Sequence, residues 1–156
     1  GLTCTQDNIC TDDLSRVAEA RALLHSSNTE VSNELGQIRS LPKAVFCSTS
    51  QCSKKFGLGR SVAFSVGKFG VIFSHQAWQP FYVRHELIHH LQNERWGTLN
   101  SWAFKPSWLI EGMAYSRSND PRQTLPEPLE SWRSQYQLWE SKVGAKHIWT
   151  AGENVQ

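Results

Sequence analysis

The feature that most constrains the fold is a pair of histidines spaced one helical turn apart. The stretch RHELIHHLQ runs from Arg84 to Gln92 and contains His85, Glu86 and His89. Residues four apart in an α-helix lie on the same face, so His85 and His89 can direct ring nitrogens at one ion. Glu86 is rotated by about 100° from His85 and can instead reach a water bound to that ion. The alternative interpretation is a polar stripe on an ordinary surface helix.

Two histidines do not complete a catalytic metal site, because catalytic zinc has three protein ligands and keeps a fourth position for water. A third histidine on the same segment is excluded, since Gln92 and Arg95 occupy the positions at which that pattern has glycine and histidine. Glu111 lies 22 residues after His89, and a helical hairpin can return it to the histidines. It stands within an apolar run, where an ionised carboxylate is costly unless a positive charge meets it. Gly112 next to it allows the histidine-bearing helix to approach closely.

The remaining pattern predicts an α+β chain in which residues 1–156 form a single domain. Helical spacing and capping residues predict four helices. The first covers residues 11–27, and the second begins at Pro80 and ends before Gly97. The third runs from its N-cap Ser107 through Tyr115, and the last follows Pro128. Alternation and β-forming residues predict three strands: LPKAVFCST, SVAFSV and GVIFS, the last two joined by a turn at 67–70. Residues 28–39 are ambiguous.

Charge and cysteine content limit the environment and the partners. The formal net charge of +2 is too weak to indicate nucleic-acid binding, and no apolar run is long enough to span a membrane. The four cysteines form two close pairs in sequence, which favours local disulfides Cys4–Cys10 and Cys47–Cys52. Buried free thiols and a structural zinc site with four cysteines are the alternatives. Disulfides predict an oxidising compartment, so we expect a secreted or periplasmic protein.

HELIH followed at this distance by WLIEGMA resembles the gluzincin clan of zinc metallopeptidases, over roughly residues 71–115. The WL-x-EG-x-A stretch is closest to the aminopeptidase branch, and the small size resembles the minimal gluzincins. The resemblance implies a zincin-like α+β fold: a small mixed or antiparallel sheet with an active-site helix, a glutamate-bearing helix and a C-terminal helix. It also implies that His85, His89 and Glu111 bind Zn²⁺, that Glu86 is the general base, and that GVIFS is the edge strand along which a peptide lies.

The chain departs from this family at two points. Thermolysin-like members have an acid four residues after the glutamate ligand, as a partner for a metal-bound histidine, and Tyr115 stands at that position here. Asp120, Asn119, Ser116 or a backbone carbonyl is therefore expected to hold the histidines. No Gly-x-Met-x-Asn element, which aminopeptidases of the clan use to bind a free amine, precedes the motif.

Three functions follow as hypotheses: a small secreted zinc endopeptidase, an exopeptidase of the same clan, and a non-catalytic zinc-binding interaction module. The first two require a peptide or protein substrate and a donor that stabilises the oxyanion, for which Tyr115, Tyr136 and His147 are candidates. Each of these three can instead serve packing or lie at the surface. His90 points away from the histidine pair and is expected to be structural or exposed. The cationic loop containing Lys54, Lys55 and Arg60 is expected to be solvated, with a preference for acidic substrates as the alternative.

Overall fold

The computed structural model describes residues 1–67 and 69–156, which contain five β-strands and seven α-helices. The strands are β1 Thr3–Cys4, β2 Ile9–Thr11, β3 Lys43–Phe46, β4 Ala63–Val66 and β5 Gly70–Phe73. The helices are α1 Val17–Glu34, α2 Ser50–Lys55, α3 Pro80–Trp96, α4 Thr98–Ala103, α5 Ser107–Arg117, α6 Leu129–Val143 and α7 Ile148–Glu153. Short 3-10 turns at Leu14–Arg16 and Ala145–His147 precede α1 and α7. The α+β class expected from the sequence is confirmed.

The five strands form one mixed sheet in the order β1-β2-β3-β5-β4. The central pairs β2–β3 and β3–β5 are parallel, whereas the outer pairs β1–β2 and β5–β4 are antiparallel. The expectation that GVIFS forms the edge of the sheet is therefore wrong, because β5 lies between β3 and β4. The edge is β4, from SVAFSV. Both strands of the hairpin are rich in β-forming residues, and local pattern does not tell which of the two pairs with β3.

A single apolar core joins the sheet to the helices. Phe46 and Phe73 of the two parallel inner strands stack with ring centroids 4.6 Å apart and are fully buried. Leu24 of α1, together with Leu87 and Ile88 of α3, is buried in the same cluster, as are residues of α5 and α6. Burying each such side chain stabilises the folded state by about 1.5–3 kcal/mol. This packing therefore fixes α3 over the sheet.

The N-terminal half contains more structure than the pattern predicted. The first helix begins at Val17, after a 3-10 turn capped by Asp13, and continues to Glu34 through most of the ambiguous segment. The neighbouring acid Asp12 has a different role. Its carboxylate accepts hydrogen bonds from the Ser48 amide at 2.6 Å and the Thr49 hydroxyl at 2.9 Å. Thr49 in turn caps α2, so Lys54 and Lys55 lie on a short helix rather than in a loop.

In the C-terminal half, α3 and α6 have the extents expected from Pro80, Gly97 and Pro128. Ser107 is the first residue of α5 and not its N-cap, which is Pro106, so the capping prediction is wrong. α4 lies where a loop was expected, and α7 follows the helix expected to be last. Lys105 is buried and donates from Nζ to three backbone carbonyls at the end of α7, at 2.6–2.8 Å.

Both expected disulfides, Cys4–Cys10 and Cys47–Cys52, are formed, and the described residues contain no free cysteine. The first links β1 to β2, and the second links the end of β3 to α2. Such bonds fit an oxidising compartment. Within the described part of the chain, every helix is too short or too polar to cross a membrane.

Gly112 is the point of closest approach between α5 and its neighbour, but that neighbour is α6 rather than the histidine-bearing α3. A Cβ atom at Gly112 would lie 2.4 Å from the carbonyl oxygen of Trp132 and 2.8 Å from Cβ of Tyr136. The expectation that this glycine admits the histidine helix is therefore wrong. Glycine here lets two backbones pack directly, on a face of α5 adjacent to the one that carries Glu111.

We predict that Gly112→Ala destabilises the protein by about 1–3 kcal/mol, because the added methyl forces α6 away from α5. The measurement is urea unfolding followed by circular dichroism. Gly59→Ala is the matched control, since a Cβ at Gly59 meets no atom within 4 Å. Equal unfolding midpoints for the two variants would contradict the packing role of Gly112.

Candidate metal centre

Three side chains from two helices converge on one point above the sheet. His85 and His89 of α3 lie one turn apart with their Nε2 atoms separated by 3.1 Å. Glu111 of α5 places Oε2 at 3.4 Å from His85 Nε2 and Oε1 at 3.3 Å from His89 Nε2. The donor atoms of this group all lie within 4.8 Å of one another, so it can hold one metal ion. The hairpin inferred from the sequence therefore brings the expected ligands together.

The group is electrostatically arranged to hold a positive charge. Burial raises the pKa of the Glu111 carboxyl, but the charge of His89 and hydrogen bonds from both imidazoles outweigh it and leave that pKa well below its usual range. Burial lowers the pKa of His89, yet the Glu111 charge and hydrogen bond raise it to about 9. A proton supplies that charge in the absence of metal, and a cation can replace it.

Gln92 orients His89, a role that the sequence interpretation did not assign. Its side chain is fully buried, its Nε2 donates to the Ile110 carbonyl at 3.0 Å, and its Oε1 lies 2.9 Å from His89 Nδ1. Because the carbonyl of Ile110 requires a donor, the amide oxygen must face the histidine and accept its Nδ1 proton. Nε2 of His89 is thereby placed beside Glu111, where it can donate to the carboxylate when protonated or bind a cation when that proton is lost.

Two of the residues expected to hold the histidines in place of the family's acid are used elsewhere. Asp120 pairs with Arg122, and the Ser116 hydroxyl donates to the Arg133 carbonyl. For His89 the prediction is therefore wrong, and the partner is Gln92 on the same helix. The spacing of three residues from His89 to Gln92, which places both on one side of α3, is the signal that could have identified it.

Glu86 lies beside the candidate metal-binding group of His85, His89 and Glu111 without joining it. Its side chain is largely buried and points to the sheet edge, where Ser65 of β4 donates its hydroxyl to Oε2. This contact connects the edge strand to the residue that the motif predicts to act on water. Ser65 was not identified from the sequence, because its approach depends on the order of the strands.

These residues line a cleft of about 440 Å³. One wall is β4 with the two residues before it, and the opposite walls come from the first turns of α3 and from α5 with the loop after it. The lining residues are Ser61, Val62, Ala63, Phe64, Ser65, Phe81, Tyr82, His85, Glu86, His89, Glu111, Tyr115, Asp120 and Arg122. A second cavity of about 200 Å³ shares Ser65, His89 and Glu111 and is bordered by Trp102. One cavity therefore borders the group of His85, His89 and Glu111 towards the start of α3, and the other borders it towards the end of that helix.

The three candidate oxyanion donors occupy different environments. Tyr115 lines the cleft, with its ring 4.5 Å from that of His85, and burial followed by the Glu111 charge raises its pKa to about 12. Tyr136 is fully buried and donates to Glu140 on its own helix, and it is not among the cleft-lining residues. His147 is exposed on the 3-10 turn before α7 and is also outside the lining. The structure brings only Tyr115 of the three to the cleft.

The other histidines lie apart from the centre. His90 is buried, with Nε2 at 2.6 Å from the Ser40 carbonyl oxygen, in agreement with a structural role. His75 follows β5, and its Nδ1 lies 3.0 Å from the Ser53 hydroxyl. The described part of the chain thus offers only the one group of His85, His89 and Glu111 as a metal site.

Comparison of the chain with protein-family models, curated proteins and solved structures finds no match. The chemistry of the site therefore rests on its own geometry.

We predict that Gln92→Leu weakens metal binding by roughly 10- to 100-fold, because His89 loses the acceptor that fixes its ring and tautomer. The measurement is calorimetric titration with Zn²⁺, with circular dichroism to establish that the variant is folded. Gln76→Leu is the control, since Gln76 is exposed and outside the cleft. An unchanged affinity in folded Gln92→Leu would show that His89 needs no such partner.

Proposed function

We propose that this protein is a zinc-dependent endopeptidase. The observation that carries the proposal is the position of Glu86, whose carboxylate flanks the group of His85, His89 and Glu111 in an open cleft beside a sheet edge. A purely structural metal site is closed by its ligands and needs no additional carboxylate. The sequence resemblance to gluzincins points to the same chemistry.

The donor set supports zinc as the ion. Imidazole nitrogens and a carboxylate are ligands that zinc accepts, at bond lengths of about 2.0–2.2 Å. At tetrahedral angles such bonds place neighbouring donors about 3.3–3.6 Å apart. The separations of 3.1, 3.3 and 3.4 Å between the ligand atoms are close to this spacing. Three protein ligands leave the fourth vertex for water or substrate.

Each of the neighbouring residues has a role in hydrolysis. When bound, zinc would lower the pKa of its water towards about 7 and polarise the scissile carbonyl. Glu86 takes a proton from the attacking water and passes it to the leaving amine. Ser65 holds Oε2 of that carboxylate and leaves Oε1 for the water. Tyr115 is the donor best placed to stabilise the oxyanion, because its ring lies against His85.

The edge of the sheet supports a peptide as the substrate. The Ser74 amide donates to the Val62 carbonyl at 2.8 Å, which makes these two a hydrogen-bonded pair of the β4–β5 ladder. Because bonding alternates along an antiparallel pair, the backbone groups of Ala63 and Ser65 point away from β5. An extended peptide can pair with them as an added strand.

Cleavage within a chain is favoured over removal of terminal residues. The cavities of about 440 and 200 Å³ lie on either side of the metal-binding group, so a peptide along β4 has room to continue in both directions. An exopeptidase requires instead a subsite that recognises a chain end. The two disulfides support secretion, since such bonds persist in oxidising compartments. The alternative function is a zinc-binding interaction module without activity.

We predict that Glu86→Gln abolishes peptide hydrolysis while stoichiometric zinc is retained, because the amide cannot accept the proton but the three ligands remain. Activity is measured on a library of unblocked peptides by mass spectrometry, and zinc by elemental analysis. Internal cuts by the parent support an endopeptidase, and stepwise terminal loss an exopeptidase. Hydrolysis by Glu86→Gln at the parental rate would falsify the mechanism. Absence of zinc and of activity in the parent would exclude the whole proposal.

We also predict that Ser65→Ala lowers kcat by roughly 10- to 100-fold with little change in KM, because the carboxylate of Glu86 loses a charge-assisted hydrogen bond of about 1.5–3 kcal/mol. Ser65→Thr keeps the hydroxyl and should recover most of the activity. Zinc content should be equal in all three proteins. A parental kcat in Ser65→Ala would remove Ser65 from the mechanism.

A further inference from the structure

Arg122 is the only lysine or arginine among the described residues that line the main cleft. It follows α5 in the loop that begins after Ser118, and its side chain is 40% exposed. It takes no part in the proposed proton transfer or metal binding. A cationic side chain that opens into a substrate cleft, on the same wall as Tyr115, is therefore a feature without an assigned role.

The guanidinium of Arg122 is fixed before any ligand binds. Its Nε lies 2.9 Å and its Nη2 lies 2.6 Å from the two carboxylate oxygens of Asp120, whose side chain is only 1% exposed. The Arg122 amide donates to the same carboxylate at 3.0 Å. Nε and Nη2 are thus committed, and among the described residues no partner is found for Nη1. That atom remains available as a donor.

The loop does not need the Arg122 side chain to hold its backbone. Arg133 of α6 donates from Nη1 to the Arg122 carbonyl at 2.9 Å and from Nη2 to the Gln123 carbonyl at 2.8 Å. Arg133 is itself buried and paired with Glu130. Arg133 therefore holds the loop from the side of α6, and the Arg122 side chain faces the cleft.

Aromatic rings surround the presented guanidinium. Its central carbon lies 5.5 Å from the ring centroid of Phe81, 5.7 Å from that of Tyr82 and 5.9 Å from that of Tyr115. These rings limit the positions the guanidinium can take and reduce the water around it. Both effects strengthen a hydrogen bond from Arg122 to an anionic ligand and leave fewer conformations to be lost on binding.

We propose that Arg122 binds a carboxylate of the peptide substrate on the Phe81–Tyr82 side of the metal-binding group. This inference rests on the proposed function for the identity of the ligand as a peptide. The other acids of the cleft cannot be the natural partner of the free Nη1, because Glu86 is held by Ser65 and Glu111 by the two histidines. A carboxylate is the anion that peptides carry, either on an acidic side chain or at the C-terminus.

The test uses four versions of one fluorescent peptide, with glutamate or glutamine on the side of the cleavage site that faces Arg122, and with a free or amidated C-terminus. Their dissociation constants are measured by anisotropy on zinc-loaded protein carrying Glu86→Gln, which holds the peptide without cutting it. We expect a peptide with the recognised carboxylate to bind roughly 10- to 100-fold more tightly than the neutral amidated peptide. Preference for glutamate in the amidated pair identifies a side chain, and preference for the free terminus identifies the chain end.

The same preference is then measured in a second protein that also carries Arg122→Gln. There, the ratio of the dissociation constant of the neutral amidated peptide to that of the preferred peptide should approach one. Because that substitution leaves Asp120 buried without its partner, the double change Asp120→Asn with Arg122→Gln is measured as well. Arg122→Lys should give an intermediate ratio, because it keeps the charge without the planar fork. Arg39→Gln, which removes an exposed arginine outside the cleft, should leave the ratio as in the parent.

Equal binding of all four peptides, or a preference that survives in both Arg122→Gln proteins, would overturn the assignment. Its failure is separable from that of the proposed function. If the protein without the Glu86 change cleaves the neutral peptide but shows no carboxylate preference, the peptidase stands and the role of Arg122 falls. If it cleaves none of the peptides while the Arg122-dependent preference is present, the binding role stands and the catalysis falls.

Discussion

The contact on which the site depends is the Glu111 carboxylate between the imidazoles of His85 and His89. An ionised carboxylate placed among apolar residues of α5 is costly to bury unless a positive charge lies next to it. The histidines of α3 supply that charge when protonated, or supply the nitrogen atoms that can bind a cation. The two helices are therefore held at one separation by the site itself. Gln92 adds a second connection, since it bonds both to His89 and to the Ile110 carbonyl that precedes Glu111 in the chain.

The helix α5 is held from two directions by consecutive residues. Glu111 faces the histidines of α3, and Gly112, rotated by about 100°, faces the backbone of α6. A side chain at Gly112 would meet Trp132 and Tyr136. The burial of Tyr136 follows from this close packing, and so does its distance from the cleft. The same arrangement leaves Tyr115, one turn after Glu111, on the side of α5 that borders the cleft.

The opposite wall of the cleft depends on which strand is outermost. β4 carries Ser65 towards Glu86 and turns the backbone of alternate residues outwards. Had β5 been the edge, as the family resemblance implied, a different pair of backbone groups would border the candidate metal centre. In the proposed mechanism, the edge that would pair with a peptide and the hydroxyl that orients Glu86 thus belong to one strand.

The sequence by itself determined the local elements and the candidate ligand set: the extents of α3 and α6, the two disulfides, and the grouping of His85, His89 and Glu111. Helical period, helix-terminating residues and short cysteine spacings are local signals. The cost of burying the Glu111 carboxylate restricts it to positions next to a positive charge. Only the tertiary structure decided the strand order, the partner of Gly112, and the roles of Ser65 and Gln92. The first two and the role of Ser65 depend on contacts between segments distant along the chain. The spacing of Gln92 from His89 is a local signal, but only the packing of α3 on α5 shows that Gln92 is buried and also bonds the Ile110 carbonyl.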